Sequence, residues 1–266
     1  MAATLAFAAA WALAAALAGY VAAMLAGGGS LVVNYLGKSI PTGMGTVLLL
    51  AVLGGLGILN LAGLLDAAVL RQQGFWLTLV CLAGLVDDTF GNHESRGFRG
   101  HFSALFHGRL TTGIAKVLII SLGAVLVSLP LSWQALLEAA VLTLSVNLFN
   151  QLDLRPGRAL KAFVFLLGGL ALAGNIPAAV GCGASLGLLP GDLRSDYMLG
   201  DAGSNLLGAL AGQAIVAALS KTWLPIILIF LVLGNGAGEF LSFSLIIERS
   251  KILCWLDQIG RPQAGK

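Results

Sequence analysis

Charged side chains are scarce in this sequence. Twelve acidic and 15 basic residues make up only 10% of its 266 positions, where a soluble domain usually carries about a quarter. A soluble fold of this length needs a charged exterior, so the deficit excludes that class. Cysteine is also scarce: Cys81, Cys182 and Cys254 are isolated in or beside apolar segments, neither paired nor at metal-ligand spacing. They read as small apolar packing residues. All three histidines fall between Asp87 and Arg109, which leaves no basis for a His/Cys zinc site. A net charge of +3 is too small to indicate a nucleic-acid partner. There is no internal repeat of the kind that marks transporters built from two related halves. No Gly-rich stretch has the strand–helix setting of a soluble nucleotide fold.

What is abundant is apolar. Hydrophobic residues make up 58% of the chain, and a spanning helix needs roughly 17–25 largely apolar residues. The sequence predicts spans near 3–26, 44–65, 73–89, 112–130, 134–152, 160–175, 176–191, 203–220 and 223–243. The expected fold is therefore all-α, a polytopic transmembrane helical bundle of about nine spans. The sixth and seventh segments meet at Asn175-Ile176-Pro177 and read either as two tilted spans or as a re-entrant pair. Residues 3–26 have no preceding Lys or Arg and exceed a signal h-region, so they read as the first span, with an uncleaved signal peptide as the alternative.

Basic residues favour the cytoplasmic side of a membrane. With the N-terminus outside, that side collects Lys38, Arg96, Arg99, Arg109, Lys116, Arg155, Arg158, Lys161, Arg194 and the C-terminal tail, leaving only Arg71 and Lys221 outside. The expectation is a multi-pass plasma (inner) membrane protein with its C-terminus inside. The 36 glycines are frequent within the spans; Gly54-Gly55, Gly168-Gly169 and Gly181-x-Gly183 are expected to be helix-packing surfaces.

Four clusters lie at the inner ends of these segments. They are Gly37-Lys38-Ser39-Ile40-Pro41-Thr42-Gly43-Met44-Gly45; Gly84 to Gly91, containing Asp87-Asp88, with Lys116 opening the next span; Asn147 to Asp153; and Met198 to Ser204, containing Asp201. Taken singly, each has an ordinary reading. A carboxylate at a helix end is solvated, Asn147 and Asn150 share a helix face and bond neighbouring helices, and Lys38 and Lys116 are positive-inside anchors. Taken together they suggest chemistry. Two adjacent carboxylates need a cation or a shared proton, and ionisable groups near a membrane are costly enough to point to function. Asp153 and Asp201 end other segments at the same depth. Oxygen ligands on separate helices suit Mg²⁺, and a metal with nearby lysines is the inventory of phosphoryl transfer.

The clusters resemble the polyprenyl-phosphate N-acetylhexosamine-1-phosphate transferase family, which includes phospho-N-acetylmuramoyl-pentapeptide transferase. The matching elements are Asp87-Asp88-x-x-Gly91, Asn147-x-x-Asn150-x-x-Asp153 and Gly200-Asp201-x-Gly203-Ser204. The resemblance implies a magnesium-dependent glycosyltransferase of cell wall biogenesis, Mn²⁺ being the alternative ion, in which polyprenyl phosphate attacks the β-phosphorus of a UDP-sugar and releases UMP. It implies Asp87 and Asp88 as base or metal-organising groups, Asp201 as a metal ligand with Asn150 and Asp88 beside it, and Asp153 as a third active-site carboxylate. Lys116 matches a lysine near phosphate and Lys38 the lysine of the first inner loop, and Lys38, Asn147 and Asn150 are expected among the cofactor-binding residues. Arg155 and Arg158 read either as diphosphate contacts or as inside-facing anchors. The partners implied are polyprenyl phosphate, a UDP-sugar and membrane lipids; a homodimer is admitted but not required.

The chain departs from the family in two places. Pro156 stands where a second aspartate often follows Asp153, and residues 239–262 lack the family's histidine motif. These differences fall where sugar recognition is expected and leave the sugar open. After a transferase domain over 1–243, residues 244–266 form a cytoplasmic tail in which Ser244–Gly260 reads as an amphipathic helix on the inner leaflet. Two rivals follow: a non-catalytic relative that binds lipid carrier or scaffolds an envelope complex, and an ion-coupled transporter, which would place its charges near mid-membrane.

Overall fold

The computed structural model describes residues 1–91 and 111–262. The histidines and Arg96, Arg99 and Arg109 lie outside the described residues. Helix α1 (Ala2–Gly27) leads into a short antiparallel hairpin, β1 (Leu31–Val33) and β2 (Ser39–Pro41), in which Val32 faces Ile40. There follow α2 (Gly45–Leu61), α3 (Ala67–Phe90), α4 (Thr112–Val127), α5 (Trp133–Leu152), α6 (Arg158–Leu172), α7 (Ile176–Leu193) and α8 (Gly200–Ala218). A 3₁₀ turn (Lys221–Trp223), α9 (Leu224–Leu241), α10 (Phe243–Arg249) and α11 (Lys251–Gln258) complete the described chain. Among the described residues the fold is all-α apart from the two three-residue strands of this hairpin.

Among the described residues, five helices are long and apolar enough to cross a membrane: Ala2–Gly27, Ala67–Phe90, Trp133–Leu152, Ile176–Leu193 and Lys221–Leu241. Gly45–Leu61 and Thr112–Val127 are apolar but shorter. This is a membrane protein.

Polar residues in the connections start several of the helices. Ser132 caps α5 by accepting the Ala135 amide at 3.1 Å, and Asn175 caps α7 by accepting the Ala178 amide at 3.0 Å, with Pro177 in the first turn. These are the usual N-terminal signals, since the cap oxygen satisfies an amide that has no partner within the helix. Asn175 also donates to the Ala214 carbonyl at 3.0 Å. Helices α6 and α7 are thus two separate helices packed against each other, joined at the predicted break.

At the centre stands α8. Every residue from Ala202 to Gly212 is buried, and the helix packs against α2, α3, α5, α6 and α7. Small residues permit this density. Methyl groups built on Gly208 or Gly212 would run into the backbone of α5 at Val146 or Leu142. Along α1, Ala6, Ala10 and Ala14 form a fully buried stripe at four-residue spacing; a methyl on Gly187 of α7 would come within 2.6 Å of the Ala14 methyl. In lipid, where apolar surface gains nothing by leaving its surroundings, such close backbone approach supplies the packing energy.

Two expectations change. Gly54, Gly55, Gly181 and Gly183 do face other helices, but Gly168 and Gly169 face open space with nothing within 4 Å of a built methyl. Among the described residues they are not a packing surface. The tail does not form a single helix over Ser244–Gly260: it breaks at Ser250, whose side chain accepts the Leu253 amide at 3.4 Å and starts α11.

Candidate functional site

The second and fourth motifs, with Lys116, meet at one end of the bundle. Asp87 and Asp88 lie in the last turn of α3, Lys116 in the second turn of α4 and Asp201 in the first turn of α8. The Lys116 ammonium donates to Asp87 Oδ2 at 2.6 Å and also pairs directly with Asp201 Oδ2. Their side chains are 13% (Lys116), 16% (Asp87) and 34% (Asp201) exposed, so solvent screens the ion pairs only in part.

Asp88 faces elsewhere. Its Oδ1 accepts the backbone amide of Asp201 at 2.8 Å and its Oδ2 that of Ala202 at 3.1 Å. A carboxylate on the first amides of a helix satisfies donors that have no intrahelical partner and faces the positive end of the helix dipole. The adjacent aspartates therefore divide their contacts: Asp87 meets the lysine, and Asp88 holds the start of α8. Glycines make the approach possible. A methyl on Gly84 would stand 2.5 Å from the Asp201 carbonyl oxygen, and one on Gly200, which has φ of +70°, would stand 2.5 Å from Asp88 Oδ2. The segment before α2 is laced to the same place: the Met198 amide donates to the Pro41 carbonyl at 2.8 Å and the Gly45 amide to the Leu199 carbonyl at 3.1 Å.

The third motif divides. Asn150 faces the cluster's helix and donates to Ser204 Oγ at 3.2 Å, while Ser204 donates to the Gly200 carbonyl at 3.1 Å. Asn147 faces away, donating to Asn235 Oδ1 of α9 at 2.6 Å; it joins helices. Asp153 ends α5 and lines a cavity of about 130 Å³ together with Asn34, Tyr35, Arg155, Asp192 and Met198. Burial, together with the Asp192, Asp201 and Asp88 carboxylates, pushes the Asp153 carboxyl well above the usual range, against the pull of Arg158. The Arg155 guanidinium lies 5.0 Å from the centre of the Tyr35 ring, at cation–π distance.

Two basic residues are not gathered at the aspartates. Lys38 is exposed in the hairpin turn and makes no ion pair with the described residues. Arg158 is buried and holds Asp257 with two 2.9 Å bonds, donating also to Ser244 Oγ at 3.0 Å. Its guanidinium is thus committed to the tail.

Several residues escaped notice in the sequence. Asp192 is buried at the end of α7, accepts the Gly157 amide at 2.6 Å and lines the cavity. The signal that marked Asp87, an acidic residue ending an apolar segment, applies equally to it. Asn34, whose buried side-chain nitrogen has no partner among the described residues, and Tyr35 carried no such signal. Ser204 was within a motif, but its bond to Asn150 requires two helices to meet.

The donor set fits a hard cation in part. Asp87, Asp88 and Asp201 bring three carboxylates against one ammonium, leaving a net negative site, and oxygen donors suit Mg²⁺. No group of three His, Cys, Asp or Glu side chains among the described residues stands at metal-holding distance, because both Asp88 oxygens are turned onto α8. Asp87 and Asp201, drawn together on Lys116, are the pair available to a metal. No known protein-family model matches the chain, and no curated protein matches it.

Proposed function

We propose that this membrane protein transfers a sugar-1-phosphate from a UDP-sugar to polyprenyl phosphate, with Mg²⁺ bound through Asp87 and Asp201. The observation that carries the reading is the convergence of Asp87, Lys116 and Asp201 from three helices at one end of the bundle. A lone charge at a helix end has a solvated explanation; three brought into direct contact from distant parts of the chain do not. The motif resemblance supplies the reaction class.

In the reaction an oxygen of the lipid phosphate attacks the β-phosphorus, the bond from that phosphorus to the bridging oxygen breaks, and UMP leaves with the bridging oxygen. Lipid phosphate is already largely ionised at neutral pH, so positioning and charge neutralisation are the main demands. Mg²⁺, when bound, neutralises phosphate oxygens. Lys116 presents its ammonium to the same oxygens once released from one carboxylate. Asp88 keeps the first turn of α8 in place and so orients Asp201. Asp153 borders the adjoining cavity and faces substrate there as a third carboxyl.

The same reading makes helices α1 to α9 spans, puts the N-terminus outside and the site inside, and lays the outer face of α10 and α11 on the inner leaflet. Leu245, Ile252 and Trp255 are exposed there. One observation favours a non-catalytic carrier-binding role instead: Arg158 and Lys161 are both committed to the tail, leaving Arg155 to meet a diphosphate. The test is UMP release by the purified protein given polyprenyl phosphate, Mg²⁺ and a panel of UDP-sugars. Release from at least one donor, lost in Asp201→Asn, is expected; no UMP from any donor overturns the transferase reading in favour of carrier binding.

A further inference from the structure

In the connection between α5 and α6, residues Asp153 to Pro156 form one wall of the cavity, and the connection is held from three directions. Arg155 lies over Tyr35 of the hairpin. The Gly157 amide donates to Asp192 of α7 at 2.6 Å. The third hold comes from about a hundred residues further along the chain. Asp257 of α11 takes both Arg158 bonds and a third at 2.8 Å from Arg261, whose Nε donates to the Pro156 carbonyl at 2.8 Å. Lys161 donates to the carbonyls of Leu256, Asp257 and Ile259 at 3.0, 2.6 and 3.1 Å, closing the end of α11.

Such a network is more than an attachment. Arg158 is 5% exposed, and a buried guanidinium is tolerable only with its carboxylate in place. The tail must therefore be docked for the 156–158 backbone to keep this position. The bidentate fork fixes direction as well as distance. On the outer side, Ile252 and Trp255 remain exposed, so the polar side of the tail is the side turned inward. We infer that α10 and α11 act as a strap on the cavity wall, with Arg158, Asp257 and Arg261 as positioning residues that hold Leu154–Pro156 for the phosphorylated donor. The strap itself follows from the contacts; only its effect on the donor rests on the transferase reading.

The test is hydrogen exchange on the full-length protein in detergent, comparing peptides across residues 150–162 with peptides from α8. In Asp257→Asn the 150–162 peptides are expected to exchange about tenfold faster while α8 keeps its protection. Asp257→Glu, which retains the charge, recovers most of the protection. In turnover assays the donor KM rises about tenfold with kcat changed less than about twofold, the pattern of lost uniform binding. Unchanged exchange at 150–162 overturns the strap, as does equal loosening in α8, which would mark a general structural lesion. If Asp257→Asn does not fold, Arg261→Gln leaves the Arg158–Asp257 pair intact; it is expected to loosen 150–162 about threefold, and no loosening overturns the inference. If the wild-type protein turns over no UDP-sugar, the transferase reading falls while the exchange data still decide the strap.

Discussion

The Asp88 carboxylate sits on the N-terminus of the helix that carries Asp201, accepting the Asp201 amide at 2.8 Å. Its neighbour Asp87 meets Lys116, which in turn reaches the Asp201 side chain. One aspartate thus grips the backbone of α8 and the other, through the lysine, grips its side chain. The pair is a double hold on the first turn of the most buried helix, so disturbing either member disturbs Asp201.

Asp88→Ala removes both acceptors from the start of α8. Losing a helix cap costs about 0.5–2 kcal/mol, and the charged acceptor places this case at the upper end. Asp88→Asn keeps one acceptor oxygen and loses roughly half as much. Thermal unfolding in detergent measures both; an Asp88→Ala protein as stable as wild type would refute the capping role.

Lys116→Met leaves the Asp87 and Asp201 carboxylates facing each other without a cation. Breaking a buried pair costs about 3–5 kcal/mol, and partial exposure here reduces that to the lower end or below. Added Mg²⁺ should restore much of the loss in Lys116→Met, because the freed carboxylates can hold it, and should stabilise wild type less. Melting curves with and without the ion test this, and equal shifts in the two proteins count against a shared site.

Gly84→Ala and Gly168→Ala form a matched pair of changes on apolar helices. The first places a methyl 2.5 Å from the Asp201 carbonyl; the second meets nothing. Overpacking costs about 1–3 kcal/mol, whereas alanine in an open helix position gains up to about 1 kcal/mol. Opposite shifts in melting temperature are expected, with UMP release impaired only by Gly84→Ala.

Two carboxyls titrate in opposite senses. Burial alone would raise Asp257, but Arg158 and Arg261 hold it below the usual range. Its contribution is present above the unfolded value of about 3.9 and is lost as pH falls through the lower folded value. The tail therefore stays docked at neutral pH and releases only in strong acid, as proteolysis within 251–258 at stepped pH would register. Asp153 is raised, so stability falls as pH climbs from the unfolded value towards the folded one, and the penalty is complete above it. Asp153→Asn should raise the melting temperature, by more at pH 8 than at pH 4; no pH dependence in that difference would contradict the assignment.

The helices were legible in the sequence because a membrane helix satisfies its own backbone and must be apolar along its length, so each writes its limits locally. Asn175-Ile176-Pro177 marks an end in the same local way. The motifs were also legible as groups, since charge at the end of an apolar run is costly and conspicuous. The division of labour within them was not. That Asp88 caps while Asp87 pairs, that Asn150 meets Ser204 while Asn147 meets Asn235, and that Arg158 is matched by Asp257 depend on which helices touch and at what rotation. Lipid-phase packing turns on small residues admitting close approach, and Gly84 and Gly168 look alike until their neighbours are known. The sequence by itself determined a membrane bundle with its charges at helix ends. Tertiary packing alone decided which charges meet, because a contact between distant segments is set by the fit of helix surfaces.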